Sequence, residues 1–200
     1  MNTHLVLSIL FMFGVQDLMA QQKIPSGYHI SLDIGESPLT LFYDFNKDGI
    51  KDQFSVIEKE GEAKLLATLS KGKKGFINLT HKSTDYFSCC AEMKFEKNII
   101  TLTTRGMRYF QHYKFRYNKR INNFELIGYD TENFGNAIHD GAGHQSVNLL
   151  TGQYEFSRFD AKDEENGDIT EGKKILKMPK KFTLTNFHEA ILFLEALEMK

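Results

Sequence analysis

The chain predicts a mainly β protein, a single antiparallel β-sandwich or strongly bent sheet, with one α-helix at its C-terminal end. Three observations predict it. Apolar residues alternate or cluster over short segments along most of the chain. Gly, Asn and Asp punctuate those segments with turns. The helical period appears only in the last segment.

Taken in order, 28–34 and 39–43 read as strands, followed by 53–57, 64–69 and 76–80, the last two separated by the Gly-rich turn Lys71-Gly72-Lys73-Lys74-Gly75. Segments 93–95 and 99–103 flank a turn at 96–98, and 109–117 and 124–129 flank one at 118–123, which is hairpin spacing. Within 109–117, period two places Tyr109, Gln111, Tyr113, Phe115 and Tyr117 on one face, expected to be core, and Phe110, His112, Lys114 and Arg116 on the other. Segments 145–150 and 153–159 pair about Thr151-Gly152, and Asn166-Gly167 marks a hairpin tip. The helix is expected at about 186–199. Asn186 followed by Glu189 gives the N-terminal cap pattern, and Phe187, Ala190, Ile191, Leu194 and Leu197 keep the helical period. No second copy of any segment indicates a repeat architecture.

Residues 1–20 read as a secretory signal peptide. The apolar run Leu5 to Val15 is too short to cross a hydrocarbon core of about 30 Å, and Leu18-Met19-Ala20 before Gln21 is a small-residue cleavage site. The chain is therefore expected in the periplasm or secreted, with no membrane span after cleavage. Residues 21–200 then form a single domain, long enough to bury roughly 70% of the surface its unfolded chain exposes. The sequence has 25 Lys+Arg and 26 Asp+Glu; the leader carries one acid, Asp17, and no Lys or Arg, so the two signs balance in the remainder. A nucleic-acid partner calls for a basic excess, and there is none. Cys89 and Cys90 are adjacent, and their Cα atoms, about 3.8 Å apart across a trans peptide, are too close for an unstrained disulfide.

The chemistry concentrates in Asp44-Phe45-Asn46-Lys47-Asp48-Gly49-Ile50-Lys51-Asp52. Oxygen-bearing side chains stand at positions one, three, five and nine of a loop with glycine at six, which is the spacing of a Ca2+ loop. A hard cation takes six to eight oxygens at roughly 2.3–2.6 Å, and a chain wound around it turns alternate side chains inward, with a main-chain carbonyl at position seven. The expected ligands are Asp44, Asn46, Asp48, the carbonyl of Ile50, and Asp52. Position twelve is Ser55 rather than a bidentate glutamate, and the flanks read as strands, so the loop is not an EF-hand. The competing reading is an acidic, solvated turn.

A second candidate region is 136–146, where His139, Asp140, Gly141, Gly143, His144 and Ser146 lie between two expected strands. Glycines let a loop approach a partner closely, and a histidine or serine can hydrogen-bond carboxylates. The alternatives are a wet connecting loop, a zinc set of His139, Asp140 and His144, and a hydrolase set of His139, Asp140, His144 and Ser146. One glycine-rich loop lacks the separate rigid elements that hold a catalytic set in line, and the chain is not expected to be an enzyme.

The loop spacing, the leader, Tyr113-Lys114-Phe115-Arg116-Tyr117 leading into 123–130, and 146–152 resemble VCBS and FG-GAP-type calcium-loop proteins of the periplasm, related to bacterial lysozyme inhibitors and to immunity proteins against peptidoglycan hydrolases. The resemblance covers roughly residues 28–160. It implies a β-sandwich stapled by structural calcium, with a protruding loop, here 136–146, that plugs the cleft of a lysozyme-like glycoside hydrolase. An FG-GAP-type carbohydrate-binding or adhesion module is the alternative.

Overall fold

The computed structural model describes residues 24–33, 35–72, 74–81, 91–163 and 166–198. The expected signal peptide and the Cys89–Cys90 pair lie outside the described residues.

Two antiparallel sheets face each other, as the alternation predicts. The first is built on β3 (Asp52–Lys59), β4 (Glu62–Ser70) and β5 (Phe76–Thr80). The free edge of β3 is shared by two short strands: β1 (His29–Ile30) pairs its C-terminal half and β2 (Thr40–Tyr43) its N-terminal half. The second sheet is a seven-stranded meander in chain order: β6 (Ala91–Glu96), β7 (Ile99–Arg105), β8 (Tyr109–Asn118), β9 (Asn123–Asn133), β10 (Gly143–Asn148), β11 (Gln153–Ala161) and β12 (Gly167–Ile175).

Inward-facing side chains interlock between the sheets. Phe54 and Val56 of β3 and Leu65, Ala67 and Leu69 of β4 meet Ile100, Leu102, Tyr113, Phe115, Phe124, Leu126 and Tyr129, all buried. Phe54 lies 4.9 Å from Phe124 and 5.9 Å from Phe115, centroid to centroid. The outer face of the seven-stranded sheet carries cross-strand polar pairs instead: Glu92 with Arg105, Thr103 with His112, Lys114 with Asp130, and Glu155 with Lys173. In β9 the inward set changes from even to odd residues. Phe115 pairs Leu126 while Lys114 pairs Gly128, which leaves Ile127 as a bulge residue and turns Tyr129 and Thr131 inward after Phe124 and Leu126.

The helix α1 (Phe187–Glu198) follows a 3-10 turn at Leu184–Asn186. The expected cap is displaced by one turn: the Asn186 side chain accepts the Thr183 amide, so Thr183 and Asn186 form the capping box, and Glu189 pairs with Lys180. Phe187 contacts rings from both sheets, at 5.1 Å from Tyr113, 5.2 Å from Phe115 and 5.3 Å from His81. Ala190, Ile191 and Leu194 continue that buried stripe.

Phe187→Ala is expected to cost about 3–5 kcal/mol by removing a fully buried ring. Leu192→Ala, on the exposed side of the same helix, is expected to stay within about 0.5 kcal/mol. Urea unfolding of the two variants measures both.

Candidate functional site

The acidic loop connects β2 to β3 at the open end of the two-sheet core. Its first ring, Phe45, is buried between the sheets, 5.4 Å from Phe95 and 5.1 Å from Phe124. The rest of the loop is drawn around its own side-chain oxygens. The Asp48 amide donates to Asp44 Oδ1 and to Asn46 Oδ1, each at 3.0 Å. The Gly49 amide donates to Asp44 Oδ2 at 2.8 Å and the Ile50 amide to Asp48 Oδ1 at 3.0 Å. Gly49 takes φ +87°, the conformation that a Cβ penalises. Asp44, Asn46 and Asp48 are thus brought together, with their oxygens turned into the loop.

Asp52 does something the spacing did not show. Its carboxylate is fully buried and accepts the amides of Phe45 at 2.8 Å, Asn46 at 3.2 Å and Ser70 at 2.7 Å. It therefore ties both ends of the loop to the last residue of β4. Burial pushes the Asp52 carboxyl above the usual carboxylate range, against those three amide bonds and with the Asp48 charge adding to the rise. Asp48 goes the other way. Some desolvation opposes it, but hydrogen bonds from the Ser70 hydroxyl, the Ile50 and Gly72 amides and the Asn46 side chain hold it below that range.

The donor set suits a hard cation. Carboxylates, an amide oxygen and a main-chain carbonyl are the ligands Ca2+ prefers, and a carboxylate oxygen that accepts one amide keeps a second lone pair. Among the described residues no three His, Cys, Asp and Glu side chains gather into a metal cluster: Asp44 and Asp48 come together with Asn46, while Asp52 turns to the amides of Phe45, Asn46 and Ser70.

The 136–146 region is not one protruding loop. Gly143, His144 and Ser146 belong to β10, and only 136–142 remain a turn. That turn is laced internally, with Asn136 Oδ1 accepting the amides of Ile138 and Asp140, both at 3.0 Å. It is also tied to β11: the Gly141 amide donates to Phe159 O at 2.8 Å and the Ala161 amide to Asp140 Oδ1 at 3.0 Å. His139 stands at its tip with φ +62°. The residues of the hydrolase alternative separate: His144 Nδ1 bonds Ser157 Oγ at 2.7 Å, Ser146 donates to Asp130 at 2.6 Å, and Asp140 holds the Ala161 amide. Gly143 is required by packing, since a Cβ there would stand 2.0 Å from Ser157 O.

Of the expected partner residues, Gly141, Gly143 and His144 border a trough, whereas His139, Asp140 and Ser146 do not line it. The seven-stranded sheet outruns its partner, and part of its inner face is open as a cavity of about 310 Å³ lined by Tyr109, Gln111, Thr131, Asn133, Gln145 and Arg158, with Gly141, Gly143 and His144 at the edge. A second cavity of about 470 Å³ shares Gln145 and Arg158 and continues past Tyr154 and Phe156 to Lys174. The sequence did carry a signal for this face: polar Gln111, Thr131 and Gln145 occupy inward positions of strands whose other inward residues are Tyr113, Tyr129 and Val147.

The chain matches no family model, no curated protein and no solved structure. No described helix is long and apolar enough to cross a membrane.

Asp52→Ala is expected to lower stability by about 3 kcal/mol or more without any metal, because it strands three amides at once. Asp44→Ala is expected to cost about 1 kcal/mol in metal-free buffer, since its amides belong to an exposed turn. Denaturant titration in chelator-treated buffer checks the contrast.

Proposed function

We propose that the protein is a calcium-binding, non-enzymatic binding protein of the periplasm or the secreted space, and that its partner is a lysozyme-like cell-wall glycoside hydrolase. The observation that carries the calcium reading is the gathering of the Asp44, Asn46 and Asp48 oxygens on the amides of residues 48–50. In this reading Asp44, Asn46, Asp48 and the carbonyl of Ile50 hold the ion. Asp52 completes the set at position nine, the place that in such loops often reaches the ion through water. The ion's contribution is structural. It offsets the charge of a loop that already closes on itself and fixes the β2–β3 connection over the end of the core.

The binder reading rests on the resemblance and is supported by the trough. An open, polar concavity lined by Gln145 and by Arg158, which pairs with Asp160, and bordered by His144 offers donors to an acidic partner, such as the paired carboxylates of a glycoside hydrolase. The separation of His139, Asp140, His144 and Ser146 into different hydrogen-bonded pairs favours binding over catalysis. A carbohydrate-binding or adhesion module is the second reading, favoured by Phe156, which lines the second cavity stacked on Tyr154 at 5.5 Å.

Calcium at a hundredfold excess over its dissociation constant is expected to stabilise the protein by about 2.7 kcal/mol, and thermal unfolding with and without chelator reads the shift. An unchanged melting temperature rejects the metal reading. Calcium affinity should fall with acidification, beginning above the usual carboxylate range, because the raised pKa of Asp52 lets protons compete early. In metal-free protein the same shift has the opposite sign for stability: ionising Asp52 as pH rises through that window weakens the fold. Isothermal titration and denaturant unfolding across pH 4 to 8 separate the two effects.

Stoichiometric protein is expected to slow the clearing of a peptidoglycan suspension by at least one of a panel of lysozymes, and His139→Ala with Arg158→Ala to relieve that inhibition. Clearing by the protein alone would make it an enzyme. Sugar binding lost in Phe156→Ala, with every lysozyme unaffected, would favour the module.

A further inference from the structure

A third concavity, of about 320 Å³, opens on the other side of the acidic loop, between that loop, the turn joining β6 to β7 and the C-terminal end of β8. Its size is at the lower end of small-ligand sites, which run from roughly 300 to 1,000 Å³. Its composition differs from that of the trough. Tyr43, Phe45, Phe95 and Tyr117 provide aromatic walls, and Lys47, Lys119 and Arg116 border it, Arg116 from the face of β8 opposite Tyr117 and across from Glu125.

The rings are tilted against one another. Tyr43 meets Phe95 at 4.7 Å and 51°, and Phe45 meets Phe95 at 5.4 Å and 85°. Such a cluster presents both faces and edges, so it can take another ring in the offset or edge-on contacts that aromatic pairs prefer. A sugar calls for a flat platform, which tilted rings do not offer. Tyr43 remains 40% exposed, so the cluster is not closed into the core.

The cations point to the charge of the ligand. Elsewhere among the described residues Lys114, Arg158 and Lys173 each sit on an acid, while single exposed lysines such as Lys94 and Lys97 do not. Among the described residues the side chains of Lys47, Arg116 and Lys119 take no acid and no hydrogen bond, although all three line one concavity. Lys47 is brought there by a backbone at φ +61°, inside a turn that the loop's own hydrogen bonds hold in place. Cations without an acid that border a half-open aromatic cluster are the complement of an anionic head on an aromatic body.

We propose that this concavity binds small organic anions carrying an aromatic ring, with the carboxylate or sulfonate on Arg116, Lys119 and Lys47 and the ring against Tyr43 and Phe95. This goes beyond the calcium-stapled reading and does not require it. Isothermal titration with naphthalene-2-sulfonate, in buffer passed over chelating resin, tests the site apart from any metal. Binding at one site per chain is expected, at least tenfold tighter than for neutral naphthalene-2-methanol. Arg116→Gln combined with Lys119→Gln, both exposed, is expected to weaken it at least tenfold, and Phe95→Leu to weaken it while leaving the fold intact by circular dichroism. Lys174→Gln, in the trough, is expected to leave it unchanged. Equal affinity for the neutral alcohol, an unchanged constant in the double variant, no binding at millimolar concentration, or equal binding of glucuronate would each overturn the proposal.

Discussion

The buried carboxylate of Asp52 is the constraint on which the working end of this protein depends. A charged group taken out of water is costly unless it is fully hydrogen-bonded, and here the bonds come from three amides belonging to two chain segments, 45–46 and Ser70. The same contact that satisfies the carboxylate pins the start of the acidic loop to the end of β4. With Phe45 wedged between the sheets and Asp52 holding the loop's base, the intervening residues fold Asn46 and Asp48 inward and bring the amides of Asp48 and Gly49 onto Asp44. Its raised pKa records the cost of that arrangement. A divalent cation in the loop would offset much of it.

The other features follow from an inequality between the sheets. Seven strands face a sheet whose outer position is divided between the short strands β1 and β2. Complete cover is therefore impossible. α1 closes part of the gap by burying Phe187, Ala190, Ile191 and Leu194, and what is left forms the polar trough bordered by Gly141, Gly143 and His144. The acidic loop, the trough and the aromatic concavity are then three consequences of one scaffold: the trough lies apart from the loop, while the aromatic concavity shares Phe45, Asn46 and Lys47 with it.

Much of this was legible in the sequence, for reasons particular residues make plain. Alternation marked the strands, and Tyr113, Phe115 and Gln111 fell on the inner face as period two requires. The glycine and oxygen spacing of 44–52 located the loop. What escaped was whatever depended on distant partners. β12 is missing from the reading because nearly all of its residues are exposed, Ile169 and Ile175 among them, so no apolar alternation distinguishes it. Gly143 and His144 looked like loop residues because the expected strand began at Gln145, yet pairing with β9 and β11 makes them strand. The cap shifted from Asn186 to Thr183 because a 3-10 turn precedes the helix, and the bridge of Thr183 to Glu125 places that turn. The bracing role of Asp52 needed the Ser70 amide, which is remote in sequence.

Equilibrium dialysis against calcium followed by elemental analysis tests the central claim most directly. One calcium ion retained per chain in the parent protein, and none in Asp48→Asn, is the predicted result. A chain that retains no calcium at millimolar concentration, or an Asp48→Asn variant that retains as much as its parent, would contradict it.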